Sequence, residues 1–163
     1  MMCFYGHVHV FTQSVETQVF GKEECKMLEE ALRGTMVEAM GVEFLPSDDD
    51  VALARMPITP TTRQYFGILH GGASLAFAET LAGAGTAHYV GLEKRICGLS
   101  VTGNHVGMSA TEGWVYGRAT ALHLGRSTHV WNVDIVGEDG RLISTERVTN
   151  MIIDPKKPQP GEK

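Results

Sequence analysis

The order of apolar and polar positions divides the chain into one amphipathic helix, two short strands, a central helix and four longer strands. Over residues 22–40, Cys25, Leu28, Leu32, Met36 and Met40 recur at helical spacing, with Glu and Lys on the other faces. Gly34 weakens the middle of that helix and Gly41 supplies its stop. Residues 42–45 and 51–56 read as short strands joined by a polar turn over 46–50. Residues 57–67 contain Pro57 and Pro60, show no helical period, and form a loop that delivers Gln64 to the next element. Residues 73–87 are almost all small or apolar, the pattern of a helix that other elements approach from every side.

Four strands follow, over residues 96–106, 113–122, 127–136 and 141–153. The second sets Val115, Gly117, Ala119 and Ala121 against Trp114, Tyr116, Arg118 and Thr120. The third carries His129, Trp131, Val133 and Ile135 on one face. Gly137-Glu138-Asp139-Gly140 is a hairpin signal. The last strand puts Ile143, Thr145, Arg147, Thr149, Met151 and Ile153 on one side. One long helix among five or six mostly antiparallel strands is an α+β architecture, in which the helix fits inside the curve of the sheet. Residues 1–20 have no clear period and read as an extension, 21–153 as a single domain, and the charged, Pro-rich 154–163 as a frayed tail.

Composition removes whole classes of function. With 163 residues, 43% of them hydrophobic, the chain has material for one domain with a real core. A net charge of −5 gives no basic footprint for nucleic acid. No apolar run reaches the length of a membrane span, and the opening residues lack the basic region of a secretory signal. Cys3, Cys25 and Cys97 match neither a zinc site nor a disulfide framework, so a reduced, cytoplasmic protein is expected. No metal is expected either. His7 and His9 have no third ligand nearby, and Asp48, Asp49 and Asp50 lack calcium-loop spacing.

The candidate chemistry lies at the central helix. His70-Gly71-Gly72 stands immediately before it, and Glu79 is the carboxylate within it. Free N–H groups at Gly71 and Gly72 suit a negatively charged oxygen. Taken singly, each residue has a plainer reading: a tight Gly-Gly turn, a paired structural acid, a structural histidine, a surface Gln64. Lone carboxylates are seldom buried without a purpose, because the charged form loses its hydration there. Glu79 lies seven residues past Gly72, on nearly the same helix face but about 10 Å along the axis. An oxyanion site and an attacking carboxylate must both lie roughly 3 Å from one reacting carbon. One helix cannot span that gap, so if both groups are catalytic, the Glu79 that serves a given Gly71 is expected to come from a second copy of the chain.

The order of elements and residues resembles the hotdog-fold acyl-CoA thioesterases, over about residues 28–153. The likeness is carried by Phe66-Gly67, Leu69-His70-Gly71-Gly72-Ala73-Ser74 and Glu79. It continues through Gly98-Leu99, Asn104-His105-Val106, Glu112-Gly113, Leu122-His123-Leu124-Gly125, His129-Val130-Trp131 and Asp139-Gly140-Arg141-Leu142. It is nearest the branch that hydrolyses 1,4-dihydroxy-2-naphthoyl-CoA in menaquinone synthesis, whose sister enzymes clear aryl groups from a siderophore-synthesis carrier protein or cleave 4-hydroxybenzoyl-CoA. The resemblance implies an acyl-CoA substrate, no cofactor, and a homodimer or homotetramer with sites at the subunit interface. It implies Glu79 as nucleophile or general base, the Gly71 N–H as the group polarising the thioester carbonyl, and Gln64 and His70 as positioning residues. It implies that Gly98, His105 and the turn His123-Leu124-Gly125-Arg126-Ser127-Thr128 hold the CoA arm. The chain departs from the pattern at Gly83, where some relatives carry a water-positioning hydroxyl that Thr80 or Thr86 would have to replace. It departs again at Gly107-Met108-Ser109, where the branch has an arginine and Arg126 would compensate.

Overall fold

The structure, a computed structural model, describes residues 18–48 and 51–154. His7, His9, Asp49, Asp50 and the tail from 155 onward lie outside the described residues. The elements in order are β1 (Gln18–Phe20), α1 (Lys22–Ala31), α2 (Met36–Ala39), β2 (Glu43–Leu45), β3 (Ser47–Asp48), β4 (Val51–Pro57) and α3 (Gly71–Val90). They are followed by β5 (Arg95–His105), β6 (Trp114–Leu124), β7 (Thr128–Gly137) and β8 (Leu142–Ile153). Six strands form one sheet in the order β2-β4-β6-β7-β8-β5, antiparallel throughout, while β1 and β3 pair apart from it.

The long helix α3 lies across one face of this sheet, as the pattern predicts. Phe77, Ala78, Leu81 and Ala82 are fully buried against Val115 and Ala119 of β6, Trp131, Val133 and Ile135 of β7, and Val148 of β8. Burying each large side chain contributes about 1.5–3 kcal/mol. Small residues on α3 let the sheet come close: a Cβ on Gly85 would stand 2.7 Å from the Trp131 ring. The Trp131 Nε1–H donates to Thr86 Oγ1 at 2.9 Å, and Asn150 Nδ2 donates to the same oxygen at 3.0 Å. One buried hydroxyl thus ties α3 to both β7 and β8.

The structure corrects two expectations and assigns one strand face that the pattern left open. The helix predicted over 22–40 is two helices, because Gly34 adopts φ +73° and its N–H donates to Glu38 Oε2 at 2.6 Å. Met36 is therefore exposed, whereas Cys25, Leu28 and Met40 are buried. On β8 the positions that face α3 are Ser144, Glu146, Val148 and Asn150, so the predicted set, apart from buried Ile143, lies on the side away from the helix. Residues directly opposite in an antiparallel pair share a face. Trp131 pairs with Val148, Val133 with Glu146 and Ile135 with Ser144, so the inward face of β7 draws these polar residues inside. Finally, Phe20, expected in the extension, is fully buried, edge-on to Phe44 at 6.2 Å.

Candidate active site

The start of α3 is built so that one backbone donor stays free. His70 is the N-cap: its Nδ1 accepts the Gly72 N–H at 2.8 Å, and its carbonyl accepts from Ala73 and Ser74. That leaves the Gly71 N–H without a hydrogen-bond partner among the described residues. It sits at the positive end of a 20-residue helix, where negative charge is favoured. His70 Nδ1 accepts that bond, so in the neutral ring Nε2 carries the proton.

The loop before α3 is held rigidly. The His70 N–H donates to Thr62 O at 2.9 Å, the Gln64 N–H to Ile68 O at 2.9 Å, and the Leu69 N–H to Ser109 Oγ at 2.8 Å. Ser109 is thereby a support for this loop. The Gln64 side-chain oxygen accepts the Phe66 N–H at 3.1 Å, which leaves its amide N–H groups to donate elsewhere. Arg63, Gln64, Tyr65, His70 and Gly71 line a cavity of about 510 Å³. Tyr65 and Phe66 stand exposed beside it with ring centroids 3.8 Å apart, a feature the sequence reading does not single out.

The implied site residues fall into two groups within one chain. His105, at the end of β5, joins Gln64, His70 and Gly71: a Cβ on Gly71 would lie 2.5 Å from its Nε2. Glu79 belongs to the other group, against Gly98 near the start of β5, where a Cβ would lie 2.1 Å from Glu79 Oε1. The register Leu124↔His129, His129↔Asn150, Asn150↔Gly98 then runs across the sheet from Gly98 to the β6–β7 turn. That turn holds His123, Leu124, Gly125, Arg126, Ser127 and Thr128, closed by the Gly125 N–H donating to Thr128 O at 2.9 Å. Gly71 and Glu79 are eight residues apart, about 12 Å along α3, in keeping with the expected gap.

Two details differ from the sequence reading. Glu79 is exposed in the single chain, on the same helix face as exposed Gly72, with its carboxylate touching β5 only at Gly98 among the close approaches to glycine. Of the two replacement hydroxyls, that of Thr86 is buried under Trp131 and Asn150, away from this face. That of Thr80 donates to Ala76 O at 2.8 Å. One polar group near the site was missed altogether: buried Glu146, on β8 beside β5 and hydrogen-bonded to Ser144. Its only signal in the sequence is a charged position within a strand. Among the described residues no group of three or more His, Cys, Asp or Glu is placed to hold a metal, and no helix is long and apolar enough to cross a membrane.

A long helix laid on one face of a six-stranded antiparallel sheet is the hotdog fold, and the class it belongs to here is that of the thioester hydrolases. Comparison with known proteins gives the family. The thioesterase superfamily model matches residues 66–144. The 1,4-dihydroxy-2-naphthoyl-CoA hydrolase of Escherichia coli K12 is 39% identical over 120 residues, 74% of this chain and 88% of that protein. The proofreading thioesterase EntH of Cronobacter turicensis is 38% identical over 122 residues, 74% and 87% respectively. A Staphylococcus aureus thioesterase solved as a Gln-to-Ala variant superposes with TM-score 0.69 at 33% identity, covering 74% of this chain and 98% of that one. A second crystallised variant of that protein replaces a glutamate fifteen positions after the glutamine. The chain belongs to the thioesterase superfamily.

Proposed function

We propose that this protein hydrolyses an aromatic acyl-CoA thioester, such as 1,4-dihydroxy-2-naphthoyl-CoA, to the free acid and CoA. The observation that carries the reading is the single free N–H of Gly71, left at the head of α3 beside Gln64 and His70. The thioester carbonyl accepts this N–H, which stabilises the negative charge that develops on its oxygen. Glu79 either attacks the carbonyl carbon and expels the CoA thiolate, forming an anhydride that water then hydrolyses to the free acid, or takes a proton from the water whose oxygen attacks that carbon and expels the thiolate. The glutamine and glutamate replaced in the Staphylococcus aureus variants have the spacing of Gln64 and Glu79, which supports these two as the working pair.

Within one chain Glu79 and Gly71 are too far apart to meet on one carbon, so the reading includes a second copy. Strand β5 ends the sheet and is exposed along nearly all its length. Such an edge is a template for pairing. Two copies joined antiparallel along β5 and centred on Thr102 bring Gly98 of each opposite His105 of the other, the bulge at Leu99 taking up the odd residue. Glu79 of one copy then serves Gly71 of its partner. Gly98, His105 and the turn of residues 123–128 hold the CoA arm, and Arg126 supplies positive charge toward its phosphates.

The test is free-thiol release over a panel of thioesters: 1,4-dihydroxy-2-naphthoyl-, 4-hydroxybenzoyl-, phenylacetyl- and straight-chain acyl-CoAs. Glu79→Gln keeps the shape but removes the base and is expected to lose at least ~10²-fold in turnover. A variant that keeps most of its activity overturns the role of Glu79. The similarity to a proofreading thioesterase favours a second reading, an aryl group on a carrier protein. Faster release from a carrier-bound aryl thioester than from any CoA ester selects it.

A further inference from the structure

Behind the Gly71 end of the site, His105 is joined through hydrogen bonds to two side chains, Ser144 and Glu146, that the proposed reaction does not use. Ser144 and Glu146 are two residues apart on the inward face of β8, and both are buried. Ser144 pairs across the strands with His105, and Glu146 with Gly103. The missing side chain at Gly103 makes the room: a Cβ there would lie 2.8 Å from Glu146 Cγ and 2.8 Å from Leu75 of α3. The Ser144 hydroxyl donates to Glu146 Oε1, and His105 Nδ1 stands 3.2 Å from the same hydroxyl oxygen. The other ring nitrogen, Nε2, lies against Gly71. Glu146 Oε2 is buried with no hydrogen-bond partner among the described residues.

We propose that Glu146 is a positioning residue that sets, through Ser144, which ring nitrogen of His105 carries the proton beside Gly71. The hydroxyl of Ser144 has one hydrogen, and this couples the two ends. When Glu146 is a carboxylate, that hydrogen points to Glu146. Ser144 Oγ is then left to accept from Nδ1–H, and Nε2 of the neutral ring is bare. When Glu146 is protonated, its own O–H donates to Ser144 and the Ser144 hydrogen turns to Nδ1. The ring proton then sits on Nε2, as a second donor next to the Gly71 N–H. Passing between the two forms releases one proton from Glu146 to solvent and moves one ring proton from Nε2 to Nδ1 by exchange.

Both forms are accessible near neutrality, because burial pushes the Glu146 carboxyl up to about 7, the bond from Ser144 lowering it and the charge of Asp134 raising it. The titratable groups on the elements around the chain are few. Asp134 on β7 turns its carboxylate to Thr145 and Asn132. His70, before α3, is occupied by Gly72, and Glu79 meets β5 at Gly98 instead. From α3 the neighbour of this stretch is the apolar Leu75.

The importance of the His105 proton for turnover rests on the thioesterase reading above, whereas the relay itself is testable without any substrate. The experiment records ring signals of nitrogen-15-labelled histidine in the full chain between about pH 5 and pH 9, with His105 assigned by its loss in His105→Asn. In the wild type the neutral ring is expected to pass from the Nε2–H to the Nδ1–H form as Glu146 ionises. Glu146→Gln cannot ionise, and Ser144→Ala cuts the chain at its middle link. Each is expected to hold His105 in one tautomer across the range. A tautomer change that persists in either variant, or its absence in the wild type, overturns the relay. The variants cut different links, so a fold failure in one leaves the other as the test. In the same variants thiol release is expected to lose a limb of its pH profile near 7. Loss of the tautomer change without any thiol release in the wild type would refute the thioesterase reading and leave the relay standing.

Discussion

At the scale of single residues, the chemistry depends on which polar groups are spoken for. His70 takes up three of the first amides of α3 with its ring and carbonyl, so the one remaining donor, Gly71, is defined by elimination. Glu146 is the opposite case, a carboxyl with one oxygen bonded and the other buried without a partner. Its ordinary value is 4.5 and burial raises it to about 7. Below pH 4.5 the group is protonated folded and unfolded alike, and its burial has no effect of charge. Between the two values only the unfolded chain gives up the proton, so stability is lost as the pH rises, and the loss is complete above about 7. From pH 5 to pH 8 this amounts to roughly 2–3 kcal/mol. Glu146→Gln removes that slope. Urea unfolding of both proteins at the two pH values is expected to show the wild type losing that much relative to the variant, and parallel behaviour would contradict it.

At the scale of elements, the fold is a helix fastened to strands by both packing and one hydroxyl. Thr86 accepts from Trp131 and Asn150, all three within the core. Thr86→Val keeps the shape and leaves two buried donors unpaired, at an expected cost of about 2–4 kcal/mol in chemical unfolding. A loss below about 1 kcal/mol would show that this bond does not hold α3 to β7 and β8. The sequence made the helix and strands readable because Phe77, Leu81, Val115, Trp131, Val133 and Ile135 follow their periods closely. The start of α3 was readable because His70-Gly71-Gly72 is local, three residues with their own cap. It left open which side of β8 faces the helix, where the inward positions include Ser144, Glu146 and Asn150, polar residues that only their cross-strand partners draw inside. It also could not foresee that the hydroxyl of Thr86 is engaged by the sheet, since its partners lie 45 and 64 residues away. The helix break at Gly34 was visible only as a weakness, because a positive φ is a choice made by the surroundings of the turn.

At the scale of the molecule, two features left open by one chain point to the same remedy. The outer edge of β5 is unpaired among the described strands, and Gly72 and Glu79 on α3 are exposed. A closed pair of like copies satisfies both at once, because a two-fold axis repeats every contact. With the proposed axis at Thr102, Glu79 and Gly71 would lie at opposite ends of β5 within one chain and meet between copies. The shared site is tested by complementation. Glu79→Gln lacks the carboxylate, and Gly71→Ala sets a methyl group where His105 Nε2 lies and disturbs the free amide. Each variant alone is expected to be inactive. In a mixed pair, one site combines both lesions, while the other joins an intact Glu79 to an intact Gly71 of the partner. Random assembly on co-expression makes half the pairs mixed, so thiol release is expected to recover to about a quarter of the wild-type level. If Glu79 and Gly71 of the same chain worked together, every site would carry a lesion and the mixture would be as inactive as its parts.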